Sequence, residues 1–137
     1  MNEKVFFVLI ISLIIFSGCI SAGQPEPENK KPSIEITPKS FDFGTVPNEK
    51  IEKVFFVKNT GKGFLEILGV STSCGCTKGT INKKLIKSGE TAELLVSIDP
   101  DLMGEKVVGK IERIVYVKSN DSDNPEIEIE LTANILE

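Results

Sequence analysis

Alternation of apolar and charged residues is the feature that most constrains how this chain can fold. In the segment 126–131, three glutamates alternate with Ile127, Ile129 and Leu131. Successive side chains of a β-strand point to opposite faces of a sheet, so the acids share one face and the aliphatic residues share the other. The segment therefore predicts a strand with one buried face.

The same period of two recurs along the chain, and no segment shows a convincing helical period. Sequences rich in Asn, Asp, Gly and Pro separate the candidate strands and are typical of turns. The apolar pattern slips near Gly69, which predicts a bulge or bend there. The further predicted strands are 33–37, 41–45, 51–59, 64–71, 91–98 and 109–118.

About seven short strands in about a hundred residues predict an all-β fold, an immunoglobulin-like antiparallel β-sandwich. Its core is predicted at the inward-facing apolar positions of the strands. These are Phe43, Phe55, Val57, Leu65, Ile67, Val70, Leu94, Val96, Ile98, Val115, Val117, Ile129 and Leu131.

The first residues have the composition of an export signal. Lys4 precedes an apolar stretch, 5–16, that only Ser12 interrupts. About twelve helical residues rise about 18 Å, which is short of the roughly 30 Å hydrocarbon core of a bilayer. The stretch therefore favours a signal peptide over residues 1–18 rather than a permanent transmembrane helix.

The tetrad Phe16-Ser17-Gly18-Cys19 resembles the lipobox of prokaryotic lipoproteins, although Phe16 replaces the usual Leu. The resemblance implies cleavage before Cys19 and a diacylglyceryl group on its thiol. An ordinary secretory signal and an uncleaved anchor are the alternatives. The proline-rich segment 19–32 predicts a flexible linker to a domain over 33–137. We therefore expect a lipid anchor in the cell membrane, with the domain facing outside the cytoplasm.

Two cysteines, Cys74 and Cys76, flank Gly75 in a turn after a predicted strand. Outside the cytoplasm, two such thiols can be in several chemical states. The thiols can close a small, labile disulfide ring with a redox role, or both can stay reduced and pack as small apolar residues. They can also bind a soft metal such as Cu(I), with Met103 or a partner's ligand completing the site, or form an interchain bridge. Zinc fits poorly, because a closed zinc site needs four ligands.

Composition excludes several function classes. The chain has no His, so it has no imidazole base, no Ser-His or Cys-His nucleophile pair and no imidazole metal ligand. The formal net charge of -4 gives no indication of the basic surface with which proteins bind nucleic acid. No catalytic residues can be named. We expect a binding or structural module without enzymatic activity that contacts the membrane through its lipid and another protein through its domain.

Five ordered segments resemble the domain of unknown function 1573 family. They are 41–46, 55–61, 65–67, 73–77 and 117–121 followed by Pro125; residues 88–90 and the strand that ends at 99–100 also fit, and the likeness extends over roughly 34–133. The resemblance implies an immunoglobulin-like or pilus-chaperone-like sandwich in an exported prokaryotic protein, with no established activity and with Cys74 and Cys76 as the family's cysteine pair. One departure is the segment 82–85, where the family pattern has a proline near the start of the turn.

Overall fold

The computed structural model describes residues 30–104 and 106–137. The predicted signal peptide 1–18, Cys19 and linker residues 20–29 lie outside the described residues. Within these, nine strands and one short 3₁₀ helix follow one another along the chain. They are β1 Ile34–Thr37, β2 Ser40–Val46, β3 Ile51–Asn59, β4 Leu65–Thr72, β5 Thr77–Ile81, β6 Leu85–Ile86, β7 Thr91–Ile98, the helix Pro100–Met103, β8 Gly109–Ser119 and β9 Glu126–Ile135.

Two sheets pack face to face. The four-stranded sheet has the order β1-β3-β7-β5, and the five-stranded sheet has the order β2-β9-β8-β4-β6. The chain changes sheets between β1 and β2, after a cis Thr37-Pro38 peptide bond. Because β2 then runs alongside β9 in the same direction, this pair is parallel, whereas the other strand pairs of the described residues are antiparallel.

The predicted all-β sandwich is confirmed, with more strands than the predicted seven. The two strands that the sequence pattern missed are β5 and β6. Ile81 is the one aliphatic side chain of β5, and β6 has two residues, so neither strand is long or apolar enough to show a period of two. The bulge predicted near Gly69 is confirmed as a register shift between Ile67 and Gly69.

The core lies between the two sheets, where the inward side chains of β3 and β7 face those of β8 and β9. Of the predicted core residues, Phe43 and Val70 are partly buried and the others are buried. Phe43 lies on β2, an edge strand whose register shifts between Asp42 and Thr45. Val70 follows the bulge and lies over Gly79, where a Cβ would be 2.5 Å from Val70 Cγ1.

Strand direction places the loops at two opposite ends of the sandwich. The tether end, as we name it, comprises residues 30–33, 60–64, 87–90 and 120–125. The cysteine end comprises residues 47–50, 73–76, 99–108 without Glu105, and 136–137. Strand β8 runs from the second end to the first with 11 residues and spans roughly 33 Å at about 3.3 Å per residue, but Val115 pairs with Thr72, so the disulfide turn lies about halfway along it. The eight residues of β7, which span roughly 25 Å, separate the loop 87–90 from the helix Pro100–Met103.

Candidate functional site

Cys74 and Cys76 form a disulfide in the turn between β4 and β5, with their Cα atoms 5.2 Å apart. Cys76 is buried, with 2% of its surface exposed, whereas Cys74 is half-buried. The pair therefore has one side accessible from solvent and one side packed into the end of the sandwich.

Hydrogen bonds hold the disulfide turn against both sheets. The Thr72 hydroxyl lies 2.9 Å from the carbonyl oxygens of Cys74 and of Thr77 and can donate to either. The Cys76 carbonyl accepts from the Asp99 amide at 2.8 Å. Ser73 exchanges two bonds with the Ile114 backbone, which fixes the turn to β8. The position of the sulfur atoms is thus set by the strands.

Arg113 is the neighbour of this disulfide that sequence reasoning missed. Its Nε donates to Cys76 Sγ at 3.3 Å, and its Nη2 lies 3.5 Å from Met103 Sδ. Its Nη1 donates to the Glu112 carbonyl at 2.7 Å. Arg113 lies two residues from both Ile111 and Val115, so it occupies an inward register position of β8. An arginine at an inward position of a strand is a sequence signal that could have located it.

Met103, predicted to complete a Cu(I) site, contacts the Arg113 guanidinium. This cation lies between the Met103 and Cys76 sulfur atoms and would repel a metal cation there. Both cysteine sulfurs are bonded to each other. Across residues 30–104 and 106–137, no group of three or more His, Cys, Asp or Glu is placed to hold a metal ion. The arrangement is therefore poorly suited to Cu(I) while the disulfide is closed.

Large apolar side chains are exposed at the cysteine end. Leu102 in the 3₁₀ helix is 64% exposed and Val108, just before β8, is 51% exposed. Leu136 is 50% exposed and follows Ile135, which pairs with Gly109, so Leu136 and Val108 occupy facing positions just beyond that pair. A cavity of 460 Å³ beside the turn is lined by Ser73, Arg113 and residues of β8 and β9. Exposed apolar side chains that lie next to each other, as Val108 and Leu136 do, are the kind of feature that marks a protein-binding surface.

Three titratable groups with shifted pKa values have local structural causes. The hydrogen bond that Lys50 donates to Glu52 raises the pKa of Lys50, and the hydrogen bond that Lys83 donates to Glu90 lowers the pKa of Glu90. Burial opposes ionisation of Asp121, but backbone donors, those of Ile34 and residues 123–124, outweigh it and lower its pKa. Each group belongs to a hydrogen-bonded pair or turn; Lys50 lies at the cysteine end, and Glu90 and Asp121 lie in two different loops of the tether end.

Two buried polar side chains organise the tether end. Asn59 Nδ2 donates to the Gly63 and Ile86 carbonyls at 2.7 and 2.9 Å, and its Oδ1 accepts from the Gly61 and Ser33 amides at 3.0 and 3.3 Å. Asp121 Oδ2 accepts from the Ile34 amide at 2.9 Å. These bonds tie the point where the described chain begins to two loops of the sandwich.

The described residues contain no helix of the length and apolarity needed to cross a bilayer.

A family model described as a protein of unknown function, DUF1573, matches residues 34–135. No curated protein sequence matches the chain. Among solved structures, a protein of unknown function from Porphyromonas gingivalis W83 matches with a TM-score of 0.70 and 22% identity, over 77% of this chain and 47% of that one. The ASH/PapD-like domain 7 of human CEP192 matches with a TM-score of 0.61 and 15% identity, over 83% of this chain and 92% of that one.

The VesB protease of Vibrio cholerae matches with a TM-score of 0.61 and 12% identity, over 74% of this chain and 31% of that one. This chain spans less than half of the length of the Porphyromonas and Vibrio proteins. At these identities the likeness establishes a shared sandwich fold and carries no information on activity.

Proposed function

We propose that this chain, which belongs to the DUF1573 family of proteins of unknown function, is a lipid-anchored binding module outside the cytoplasm. In this proposal the protein is not an enzyme. Its domain contacts another protein through the cysteine end, and its anchor is the lipidated Cys19.

The observation that carries the proposal is the separation of the two ends. The chain enters the sandwich at the tether end, where the Ser33 carbonyl accepts from the Thr60 amide at 2.9 Å. The exposed Leu102 lies at the other end, in the helix whose Met103 shares the Arg113 side chain with Cys76, and the exposed Val108 and Leu136 lie further along, where β8 begins and β9 ends. An anchor at the first end leaves the second free to meet a partner in the extracytoplasmic space.

The chemistry of the side chains supports the proposal that the protein is not an enzyme. The chain has no His, and the groups with shifted pKa values each serve a structural bond. A hydrolase or transferase needs a nucleophile or base poised by its neighbours in a pocket. Nothing described between residues 30 and 137 brings such groups together.

Site-specific photocrosslinking tests the proposed binding surface. A photoreactive amino acid at Leu102 is placed in the full chain in the membranes of its own cells, with the same group at Glu128 as the control. Glu128 is exposed on the outer face of β9, away from the cysteine end. We expect one crosslinked product of a single mass from position 102 and none from position 128. Equal products from both positions, or none from either, would contradict the proposal.

A second candidate function, thiol exchange with a dithiol protein, is favoured by Arg113. A partner thiolate would attack Cys74 Sγ, the more accessible sulfur, and break the Cys74-Cys76 bond. Cys76 would leave as a thiolate beside the Arg113 guanidinium, whose Nε lies 3.3 Å from its sulfur. The partner's second thiol would then displace Cys74, so that the domain gains two electrons and two protons while the partner becomes a disulfide.

The Arg113→Met variant tests this second candidate. Because a nearby cation stabilises the departing thiolate, we expect reduction by excess dithiothreitol to slow by about fivefold in the variant. The control is Lys110→Met, which removes an exposed cation from the same strand that pairs with Glu112 instead. Reduction is followed by quenched alkylation and intact mass. Equal rates of reduction in the wild type and the Arg113 variant would contradict the proposed role of Arg113 in thiol exchange.

A further inference from the structure

We propose that the tether end is a membrane-docking surface that binds the anionic lipid headgroups of the bilayer in which the protein is anchored. The surface consists of Lys31, Lys62, Phe64 and Lys87. This inference deepens the proposed function and rests on its lipid anchor.

The first observation is where the chain leaves the domain. The Lys31 carbonyl accepts from the amides of Lys62 and Gly63, both at 3.0 Å. This close approach requires glycine, because a Cβ on Gly63 would collide with the Lys30 carbonyl oxygen and a Cβ on Gly61 would collide with the Ser33 nitrogen. The start of the described chain is therefore fixed directly beside Lys62 and Phe64.

The second observation is the length of chain between this point and the proposed anchor. Cys19 precedes Lys30 by eleven residues. That segment spans at most about 34 Å as polyproline and about 18 Å as a random chain. The tether end is consequently held close to the bilayer, where a weak surface interaction is strengthened by the high local concentration of lipid.

The third observation is charge. The loops of the tether end contain Lys30, Lys31, Lys62 and Lys87, and their acids are Glu90, Asp121 and Asp123. Glu90 is held by Lys83 at 2.6 Å, and Asp121 is buried in bonds with backbone amides. Within the described residues, no ion pair involves Lys31 or Lys62. The surface is thus locally basic on a protein whose net charge is -4, and such a surface is attracted to anionic lipid.

The fourth observation is an exposed aromatic ring among these lysines. Phe64 is 58% exposed and lines a shallow cavity of 210 Å³ together with Lys62 and Lys87. Leu85, on the neighbouring edge strand β6, is 51% exposed. Apolar side chains flanked by lysines are the composition with which peripheral proteins enter the interface between headgroups and acyl chains. An acidic protein partner would match the charge but gives no reason for the adjacent tether.

The chain has no Trp, so a single introduced Trp reports its own surroundings. The experiment uses the full chain reconstituted in vesicles of phosphatidylcholine alone or of phosphatidylcholine and phosphatidylglycerol in equal amounts, with brominated acyl chains. The reporting variant is Phe64→Trp. The matched control is Leu102→Trp, at a residue of similar exposure, 64%, at the cysteine end.

We expect fluorescence of the Phe64→Trp variant to shift to the blue and to be quenched by the brominated lipid in anionic vesicles only. The effect should weaken with added salt. Adding Lys62→Ala should lower the ratio of docked to undocked domain about fivefold, and adding Lys106→Ala, at the cysteine end, should leave it unchanged. Lack of quenching, equal quenching in neutral vesicles, or equal quenching of the Leu102→Trp variant would each overturn the proposal.

Failure of the docking surface and failure of the anchor are distinguished by intact mass. A diacylglyceryl adduct on Cys19 together with an unquenched Phe64→Trp variant would leave the anchor in place and remove the docking surface. An unmodified Cys19 with a quenched variant would remove the lipid anchor and leave the docking surface.

Discussion

The two ends of the sandwich are built on different physical principles. At the tether end, buried Asn59 and Asp121 satisfy the backbone groups of several loops, so the end is held by hydrogen bonds in a low-dielectric setting. At the cysteine end, a covalent bond and the guanidinium of Arg113 fix one turn, and Leu102 is left exposed. The tether end is thus suited to holding the domain on its membrane anchor, and the cysteine end is suited to binding a partner protein.

If the two ends are held in these different ways, substitutions at them should lower the free energy of unfolding by different amounts. Loss of a buried, fully bonded polar side chain leaves several backbone groups without partners, which costs more than the loss of a cross-link that closes a very short loop. We therefore expect substitutions at the tether end to lower the free energy of unfolding more than removal of the disulfide.

The largest expected effect is that of Asn59→Ala. It leaves the Gly63 and Ile86 carbonyls and the Gly61 amide without their bonds at a fully buried position, and we expect a loss of about 3 kcal/mol in the free energy of unfolding. Urea denaturation followed by circular dichroism measures it. The control is Asn134→Ala, on the exposed face of β9, where one 3.5 Å contact with Thr45 is lost. Similar losses of unfolding free energy in both variants would show that the buried bonds of Asn59 contribute no special stability.

The next effect concerns Asp121 and pH. Asp121→Asn keeps one acceptor oxygen and turns an amide group toward backbone donors, so we expect a loss of about 2 kcal/mol at neutral pH. The control is Asp123→Asn, at an exposed residue of the same loop, and we expect it to have little effect.

The pKa of Asp121 is lowered in the folded protein, so its charged form stabilises the fold above its ordinary value of 3.8. That contribution is lost as the pH falls through the folded pKa. Urea midpoints measured at descending pH should therefore fall more steeply below about pH 4 for the wild type than for Asp121→Asn. Parallel curves for the two proteins would show that Asp121 is not the group responsible.

The smallest effect on stability is expected from removing the disulfide with Cys74→Ala and Cys76→Ala together. The closed loop is so short that cross-linking restricts the unfolded chain little, and we expect a loss of about 1–2 kcal/mol. Thermal unfolding of the oxidised wild type and the double variant measures it. A loss as large as that of Asn59→Ala would show that the cysteine end also carries much of the stability.

Most of the fold could be predicted from alternation alone, because six of the seven predicted strands bury one face in the core and the seventh, β2, packs partly buried side chains against it. Strands β3 and β7 have the predicted bounds. The parallel pairing of β2 with β9 could not be predicted, since a period of two shows which face is buried and not which strand is the neighbour. Strand β5 was missed because Lys78 and Gly79 interrupt any apolar period in its sequence. Its backbone pairing with β7 holds it in the sheet instead.

The candidate site was predictable in part. The spacing of Cys74 and Cys76 located the turn, but the disulfide was one of several outcomes that the sequence left open. Arg113 is 37 residues from Cys76 along the chain, and only the register of β8 against β4 brings them together. The tether-end surface was missed for the same reason, because Lys31, Lys62 and Lys87 come from three separate segments.

In the arrangement that we propose, the tether end faces the membrane and the cysteine end faces away from it. Energy transfer to an acceptor lipid tests this on the full chain in phosphatidylglycerol-containing vesicles, with a donor dye on Leu102→Cys or on Ser122→Cys and the disulfide intact. Because the eight residues of β7, roughly 25 Å, separate the tether end from the helix that contains Leu102, we expect strong transfer from the Ser122 position and weaker transfer from the Leu102 position. Equal transfer from the two positions, or the reverse order, would contradict the account.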